Sequence, residues 1–307
     1  MEEISPFAKE LAISLLDSSK FNCQLVGGVV RDRLLGVKVK DVDFLLDVEN
    51  QSLKVVYDQL VSYLTLQSGE KYSVVSSERI KDFRTFKIGF KSLLDSFEFD
   101  FVFTRREYYS KIAVRPVVEA GGLMEDLARR DFSINAMAAS KFDCRLDSIT
   151  DVFDGIGDLR KKQIKILHDL SFRDDPSRLI RAVKFKNRFG FTLEGKTTKL
   201  FNEAIVSCYL PLLSSGRRYS EFLKLFSEAT HVEILIELLD TGLLHQIFEV
   251  DEGLYPDQLR ESLSMCKVLS EEEFLVMFFN SLDASSKRKV LANFPIIKSI
   301  KEKLRSL

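Results

Sequence analysis

Two carboxylates set two residues apart in an apolar run constrain this chain more than any other feature. Asp41 and Asp43 lead into Phe44, Leu45 and Leu46. In an extended strand, residues i and i+2 point to the same face. Just upstream, Cys23–Val26 reads as a short strand, followed by Gly27 and Gly28 and by a short helix over 29–35 that Gly36 ends. Bare amides at a helix start suit phosphate. Hard oxygen ligands beside such a cradle suit Mg²⁺ and a nucleoside triphosphate. A strand edge with two solvated carboxylates is the plainer alternative, since the D-x-D pattern alone is common.

The rest of the N-terminal half alternates in character. Residues 1–20 carry Ile4, Phe7, Leu11 and Leu15 at helical spacing, and 52–64 carry Leu53, Val56, Tyr57, Leu60 and Leu64. Strands are expected over 71–77, 85–90 and 97–103, with the polar segment 76–84 as a mobile loop. After Arg145 helical patterns dominate. The stretch 174–189 reads as one helix, with Pro176 near its start and Gly190 past its end. Residues 219–239 hold one or two helices, and 256–269, 271–282 and 286–292 read as three short ones. The expected fold is α+β: a head with a small mixed β-sheet over 1–140, a helical neck over 141–225, and a helical body over 226–307.

Composition limits what this fold can do. The chain has 307 residues, 45% hydrophobic and 30% charged, with a formal net charge of −1. A nucleic-acid partner would therefore need a local basic patch; Lys287, Arg288, Lys289, Lys298, Lys301, Lys303 and Arg305 supply one candidate. Cys23, Cys144, Cys208 and Cys266 have no paired spacing, so neither disulfides nor a zinc site is expected. No secretory signal or transmembrane run is visible, so a cytoplasmic protein without a membrane partner is expected.

A metal site of this kind needs a third carboxylate from a neighbouring strand. Residues 97–103 alternate strictly, with Phe97, Phe99, Phe101 and Phe103 on one face and Glu98 and Asp100 on the other. Two acids in so apolar a strand are costly unless they meet water, cations or metal. Asp100 is the better candidate. Arg31, on the turn after the glycines, is placed to grip a triphosphate bidentately. Arg129 and Arg130 would offset charge growing on a leaving pyrophosphate. Asp131 and Asn135, four residues apart, can face one ligand. Asp175 and Arg178 are three apart on one helix face. A carboxylate there accepts from an exocyclic amino group, and a guanidinium donates to a ring acceptor. Cytosine and adenine present that edge, whereas uracil and guanine present the opposite one. Plain capping and solvated-face readings exist for each of these groups.

The ordered set is more specific than any member. GGVVRDRLLG at 27–36 followed by DVDF at 41–44 resembles the signature of class II tRNA nucleotidyltransferases (CCA-adding enzymes) and the related bacterial poly(A) polymerases. FVFTRREY at 101–108, EDLARRDFSINAMA at 125–138, DVFDGIGDL at 151–159 and FRDDPSRLIRAVKFKNRFGF at 172–191 resemble the family's further motifs, in the family's order. SSGRRYSEFLKL at 214–225 is a weaker match to the last motif. The resemblance covers about residues 20–250.

This resemblance implies a nucleotidyltransferase head and template-independent addition of C, C and A to the 3′ end of tRNA from CTP and ATP. Asp41, Asp43 and Asp100 would be the catalytic residues and hold two Mg²⁺ ions. Gly28, Arg31, Arg130, Asp131, Asn135, Asp175, Arg178, Arg181 and Lys184 would bind nucleotide. No obligate protein partner is implied. Partial addition (CC or A only) or poly(A) synthesis is the alternative within the same chemistry, and a silent RNA-binding module the alternative outside it. The segment 76–84 favours complete CCA addition, since the family uses a loop there when switching from CTP to ATP. The chain departs from the pattern at Asp174 (usually Glu), Lys184 (often Arg) and Gly216 (usually Glu, before Arg217 and Glu221), and it ends earlier than typical members.

Overall fold

The computed structural model describes residues 4–39, 41–48, 52–80, 84–93, 95–250 and 253–305, with 75–80 described by their backbone. The chain divides into two compact units. One runs to Tyr108 and resumes over Pro116–Lys161; the other comprises Tyr109–Arg115 and the chain from Lys162 onward.

The first unit is built on a seven-stranded mixed sheet. Its elements begin with α1 (Pro6–Leu16), β1 (Cys23–Val26), α2 (Gly28–Leu34), β2 (Val42–Leu46) and α3 (Leu53–Ser68). A meander follows: β3 (Ser73–Ile80), β4 (Thr85–Lys91) and β5 (Ser96–Phe103). The hairpin β6 (Arg105–Tyr108) and β7 (Val117–Ala120) forms its own two-stranded sheet. Helix α4 (Leu123–Ala128), β8 (Met137–Ala139), β9 (Ile149–Asp151) and α5 (Gly155–Arg160) complete the unit. The strand order is β3-β4-β5-β2-β1-β8-β9, with β2 and β5 parallel and the other pairs antiparallel.

Sequence chemistry explains these elements. The Ser5 hydroxyl caps α1 by accepting from the Ala8 amide at 3.2 Å, and Pro6 occupies its first turn. Strand β2 is central and apolar: Phe44, Leu45 and Leu46 are all buried, as suits a strand covered on both faces. The alternating phenylalanines of β5 form an aromatic ladder. Phe101 stacks on Phe44 at 5.2 Å between ring centroids and on Phe86 of β4 at 5.1 Å, and Phe97 stacks on Phe90 at 4.8 Å.

One expectation fails here. The polar segment expected as a mobile loop over 76–84 is largely strand: Ser76 pairs with Gly89, and the antiparallel register continues to Ile80 opposite Thr85. Its polar composition fits an edge strand, which uses polar residues to resist further pairing. Residues 81–83 lie outside the described set.

The second unit is helical apart from the short parallel pair β10 (Gln163–Ile164) and β11 (Thr192–Leu193). The helix expected over 174–189 is two. Helix α6 (Ser171–Asp174) stops, Asp175 adopts an extended conformation (φ −134°, ψ 91°), and α7 (Ser177–Phe189) begins after Pro176. Proline disfavours the helical conformation in the residue before it, which forces this break. Gly190 ends α7 in the left-handed region (φ 64°). Then come α8 (Gly195–Val206), α9 (Ser215–Leu223), α10 (His231–Asp240) and α11 (Leu243–Phe248). The last helices are α12 (Pro256–Ser264), α13 (Glu271–Asn280), α14 (Ala284–Asn293) and α15 (Lys298–Leu304). A second aromatic cluster fixes this unit: Phe222 lies 5.1 Å from Phe248 and 5.2 Å from Phe274, and Phe248 lies 4.5 Å from Phe278. No described helix is long and apolar enough to cross a membrane.

Phe101 is fully buried at the junction of β2, β4 and β5. Phe101→Ala is expected to destabilise the first unit by roughly 3–5 kcal/mol. A urea titration followed by circular dichroism would show this as a lowered midpoint.

Candidate active site

The parallel pairing of β2 with β5 places Asp43 directly opposite Asp100. Asp41 lies two residues before Asp43, just outside β2 and exposed. Asp43 is half-buried, and its carboxyl is raised to about 6 by burial first and then by the charges of Asp100 and Asp41, against opposing pulls from Arg130 and Lys87. The pocket thus holds more negative charge than its cations offset. Asp100 is held by the Lys87 ammonium of β4 at 2.8 Å, and the same ammonium lies 2.7 Å from Glu98.

The three carboxylates are hard oxygen donors, and the upward shift of Asp43 is what an added divalent cation would relieve. The donor set therefore fits such an ion. Among the described residues, no three acidic, histidine or cysteine side chains form a ready-made metal cage.

The second part of the site surrounds the glycine turn. Gly27 has φ +72°, and a β-carbon on it would lie 2.9 Å from Nη1 of Arg130. The positive φ favours glycine here, and a side chain would also push the guanidinium aside. Arg130 donates from Nη2 to Asp126 at 2.9 Å, while its Nε is buried with no protein acceptor among the described residues. Asp126 is fully buried and also accepts from Arg129 at 2.7 and 2.9 Å. This carboxylate positions both arginines of the RRD motif, and sequence reading overlooked it. Its signal was its spacing, three and four residues before the two cations that follow α4.

Arg31, expected to face a triphosphate, is turned inward. It is buried, pairs with Asp32 at 2.8 Å and donates to the side-chain oxygen of Asn135. Asn135 in turn donates to Asp131 at 3.0 Å, and Asp131 accepts the Phe132 amide at 2.8 Å. Arg31, Asn135 and Asp131 therefore form one continuous buried chain of hydrogen bonds, which fixes the 131–135 segment behind α2. Gly28 opens α2 and leaves room for the Arg31 guanidinium, 3.4 Å from where its β-carbon would be.

In the second unit, the break at Asp175 decides what that carboxylate can do. Oδ1 accepts from the Ser177 amide at 3.0 Å and the Ser177 hydroxyl at 2.5 Å, and Oδ2 pairs with Arg217 of α9 at 2.8 Å. A carboxylate has roughly four acceptor sites. Three are used here, so Oδ2 has room for one more donor. Arg178 is buried and donates to the Ser171 hydroxyl at 2.6 Å. The Arg178 amide donates to the Asp175 carbonyl at 3.0 Å. Arg181 and Lys184 both lie over the Phe185 ring, at 5.5 and 4.9 Å. Arg217 was only loosely legible in sequence because Gly216 departs from the usual motif.

Comparison with known proteins finds related chains. Residues 23–165 match the model of the poly A polymerase head domain. An A-adding tRNA nucleotidyltransferase of Aquifex aeolicus is 37% identical over 227 residues, covering 73% of this chain and 25% of that protein. A CCA-adding enzyme of Latilactobacillus sakei is 31% identical over 256 residues, covering 78% of this chain and 56% of that protein. A solved structure described as a tRNA nucleotidyltransferase complexed with a primer tRNA and an incoming ATP analog superposes with a TM-score of 0.70 at 26% identity, over 97% of this chain and 82% of that one. The chain spans 25%, 27% and 39% of the length of the first three curated relatives it matches.

The raised Asp43 carboxyl gives a pH-dependent prediction. The folded protein holds this proton more tightly than the unfolded chain does. The stability this group contributes is therefore full below its ordinary value of 3.8 and falls as pH rises through about 6. Asp43→Asn, which cannot ionise, is expected to be about as stable as the parent at pH 4 and more stable at pH 8, by roughly 1–2 kcal/mol. Thermal melts of both proteins at the two pH values measure this. A variant less stable than the parent at pH 8 would overturn the assignment of a charge-crowded carboxyl.

Proposed function

We propose, from the premise that this chain belongs to the family of class II tRNA nucleotidyltransferases and bacterial poly(A) polymerases, that it extends the 3′ end of tRNA without a template, adding C, C and A from CTP and ATP. The observation that carries the reading is the Asp43–Asp100 pair on β2 and β5, in the same unit as Arg130 over the bare Gly27 turn. A crowded carboxylate pair and a cation beside a glycine turn are what nucleotidyl transfer requires.

In this reading Asp41, Asp43 and Asp100 hold two Mg²⁺ ions. When bound, such ions lower the pKa of the primer 3′-hydroxyl and neutralise the triphosphate. The carboxylates orient that hydroxyl for in-line attack on the α-phosphorus; its proton passes to solvent, the α–β bridge breaks, and pyrophosphate leaves. Arg130, aimed by Asp126, offsets charge on the leaving group. Arg31 acts through Asn135 and Asp131, fixing the segment against which the sugar lies. Asp175 offers its remaining acceptor on Oδ2 to an exocyclic amino group. Arg178, Arg181 and Lys184 supply the cationic side of the base and phosphate contacts. RNA is held through its backbone by the basic residues of α14 and α15, several of which are exposed. The three intact carboxylates argue against a silent RNA-binding module.

A second reading has a specific observation in its favour. The first three curated relatives are named A-adding enzymes, and the segment expected to be the switching loop is strand as far as Ile80. Addition of the terminal A alone is therefore the alternative.

One assay separates the readings. tRNA transcripts ending at the discriminator base, at C and at CC are offered CTP and ATP, separately and together. Complete CCA on the first transcript is the expected result. Incorporation of A on the CC-ended transcript alone would select the second reading, and long homopolymer tails would overturn both. Asp175→Asn keeps an oxygen for Ser177 but can present an amide donor to the base. Its rejection of UTP and GTP is expected to weaken by about tenfold or more, from the cost of mismatched polar groups. Unchanged rejection would remove Asp175 from base selection.

A further inference from the structure

Lys87 is the one cation that touches the third carboxylate among the contacts described for it, and the sheet register explains why. Residues Asp43, Asp100 and Lys87 are consecutive members of one cross-strand rung over β2, β5 and β4. Neighbouring strands lie about 4.8 Å apart, so a lysine in this rung is within easy reach of the carboxylate beside it, and on its other side the register sets it opposite Glu78 of β3. Its ammonium sits 2.8 Å from Oδ1 of Asp100, 3.2 Å from Oδ2, and 2.7 Å from Oε1 of Glu98. Glu98 is two residues before Asp100 on the same strand, on the same face, and more exposed. Both lone-pair regions of Asp100 that a metal ion would use thus face a resident charge, and a second acceptor for that charge stands beside it.

We propose that Lys87 is a built-in counter-ion that occupies Asp100 until a divalent cation arrives and is then handed to Glu98. The inference rests on Asp100 being a metal ligand, as in the function proposed above. It adds a positioning residue, Lys87, and a receiving residue, Glu98, neither of which touches the reacting atoms. Three features support a handover rather than a fixed ion pair. The ammonium already bridges both acids, so the transfer needs only the loss of one contact. All three side chains are partly solvated, at 41%, 45% and 30% exposure for Lys87, Glu98 and Asp100, so the released charge is not stranded in an apolar medium. Asp43 stands directly opposite Asp100 in the parallel register, so without a cation at Asp100 the rung would hold two adjacent carboxylates.

The test measures Mn²⁺ binding directly, in the absence of nucleotide and RNA, by electron paramagnetic resonance of the free ion. Removing the competitor with Lys87→Met is expected to tighten binding by about two- to fivefold, the scale of a partly exposed ion pair at moderate salt. Glu98→Gln removes the receiving acid and is expected to weaken binding by a similar factor. The decisive arm is the double variant. If Glu98 acts by receiving Lys87, its loss costs little once Lys87 is gone. Equal losses from Glu98→Gln in both backgrounds would mean that the two residues act only as independent charges, and would overturn the handover. Unchanged or weaker Mn²⁺ binding by Lys87→Met, with a parent-like circular dichroism spectrum, would overturn it as well. Asp43→Asn separates this failure from failure of the metal reading: if that variant binds Mn²⁺ like the parent, the carboxylate site itself is wrongly assigned.

Discussion

The parallel pairing of β2 with β5 is the constraint on which the first unit depends. Antiparallel hairpins can be formed between neighbours in sequence, but a parallel pair needs a crossover. Here the connection runs through α3, β3 and β4 before β5 returns beside β2. The register it fixes does two jobs at once. On one face it stacks Phe44 against Phe101, and on the other it sets Asp43 against Asp100. A slip of one residue would exchange the two faces, burying the acids and exposing the aromatics. The aromatic ladder therefore maintains the acidic rung: the energy that makes this register unique comes from the phenylalanines, and the carboxylates, which repel one another, take their place from it.

The same division of labour recurs around the glycine turn. Asp126 is buried and satisfied by two guanidinium groups, and neither it nor Arg129 needs to contact a ligand for Arg130 to be held against Gly27. Arg31 is drawn into a separate chain through Asn135 to Asp131. Buried charges of this kind persist only when paired and hydrogen-bonded, so the polar side of the unit is as tightly specified as its apolar side.

Much of this was legible in the amino-acid sequence, for reasons that differ by residue. The β5 strand was readable because its alternation is strict from Phe97 to Phe103, and the glycine turn because two glycines between apolar runs leave few other conformations. The strand over 76–80 was misread as loop because edge strands carry polar residues, and composition cannot tell an edge from a connection. The break at Asp175 was hidden by helical spacing on both sides, although Pro176 signalled it. The contacts of Arg31 were not legible for another reason: only tertiary packing reveals that Asn135, more than a hundred residues later, accepts from it. Lys87 could not be found at all without register, since its partner in the rung is fixed by strand pairing and not by spacing along the chain.

The break between α6 and α7 has a consequence for how the second unit is to be probed. Asp175 is the joint of that bend: its backbone leaves the helical region, and its own carboxylate ties Ser177, two residues on, back across Pro176 while Arg217 anchors it to a third helix. One side chain thus combines the proposed recognition role with that of the fastener that sets the direction in which α7 departs. Truncating it would alter the aim of Arg178, Arg181 and Lys184 together, so a loss of discrimination after such a change reports on the geometry of the whole helix, and only an isosteric replacement isolates the chemistry of the acid.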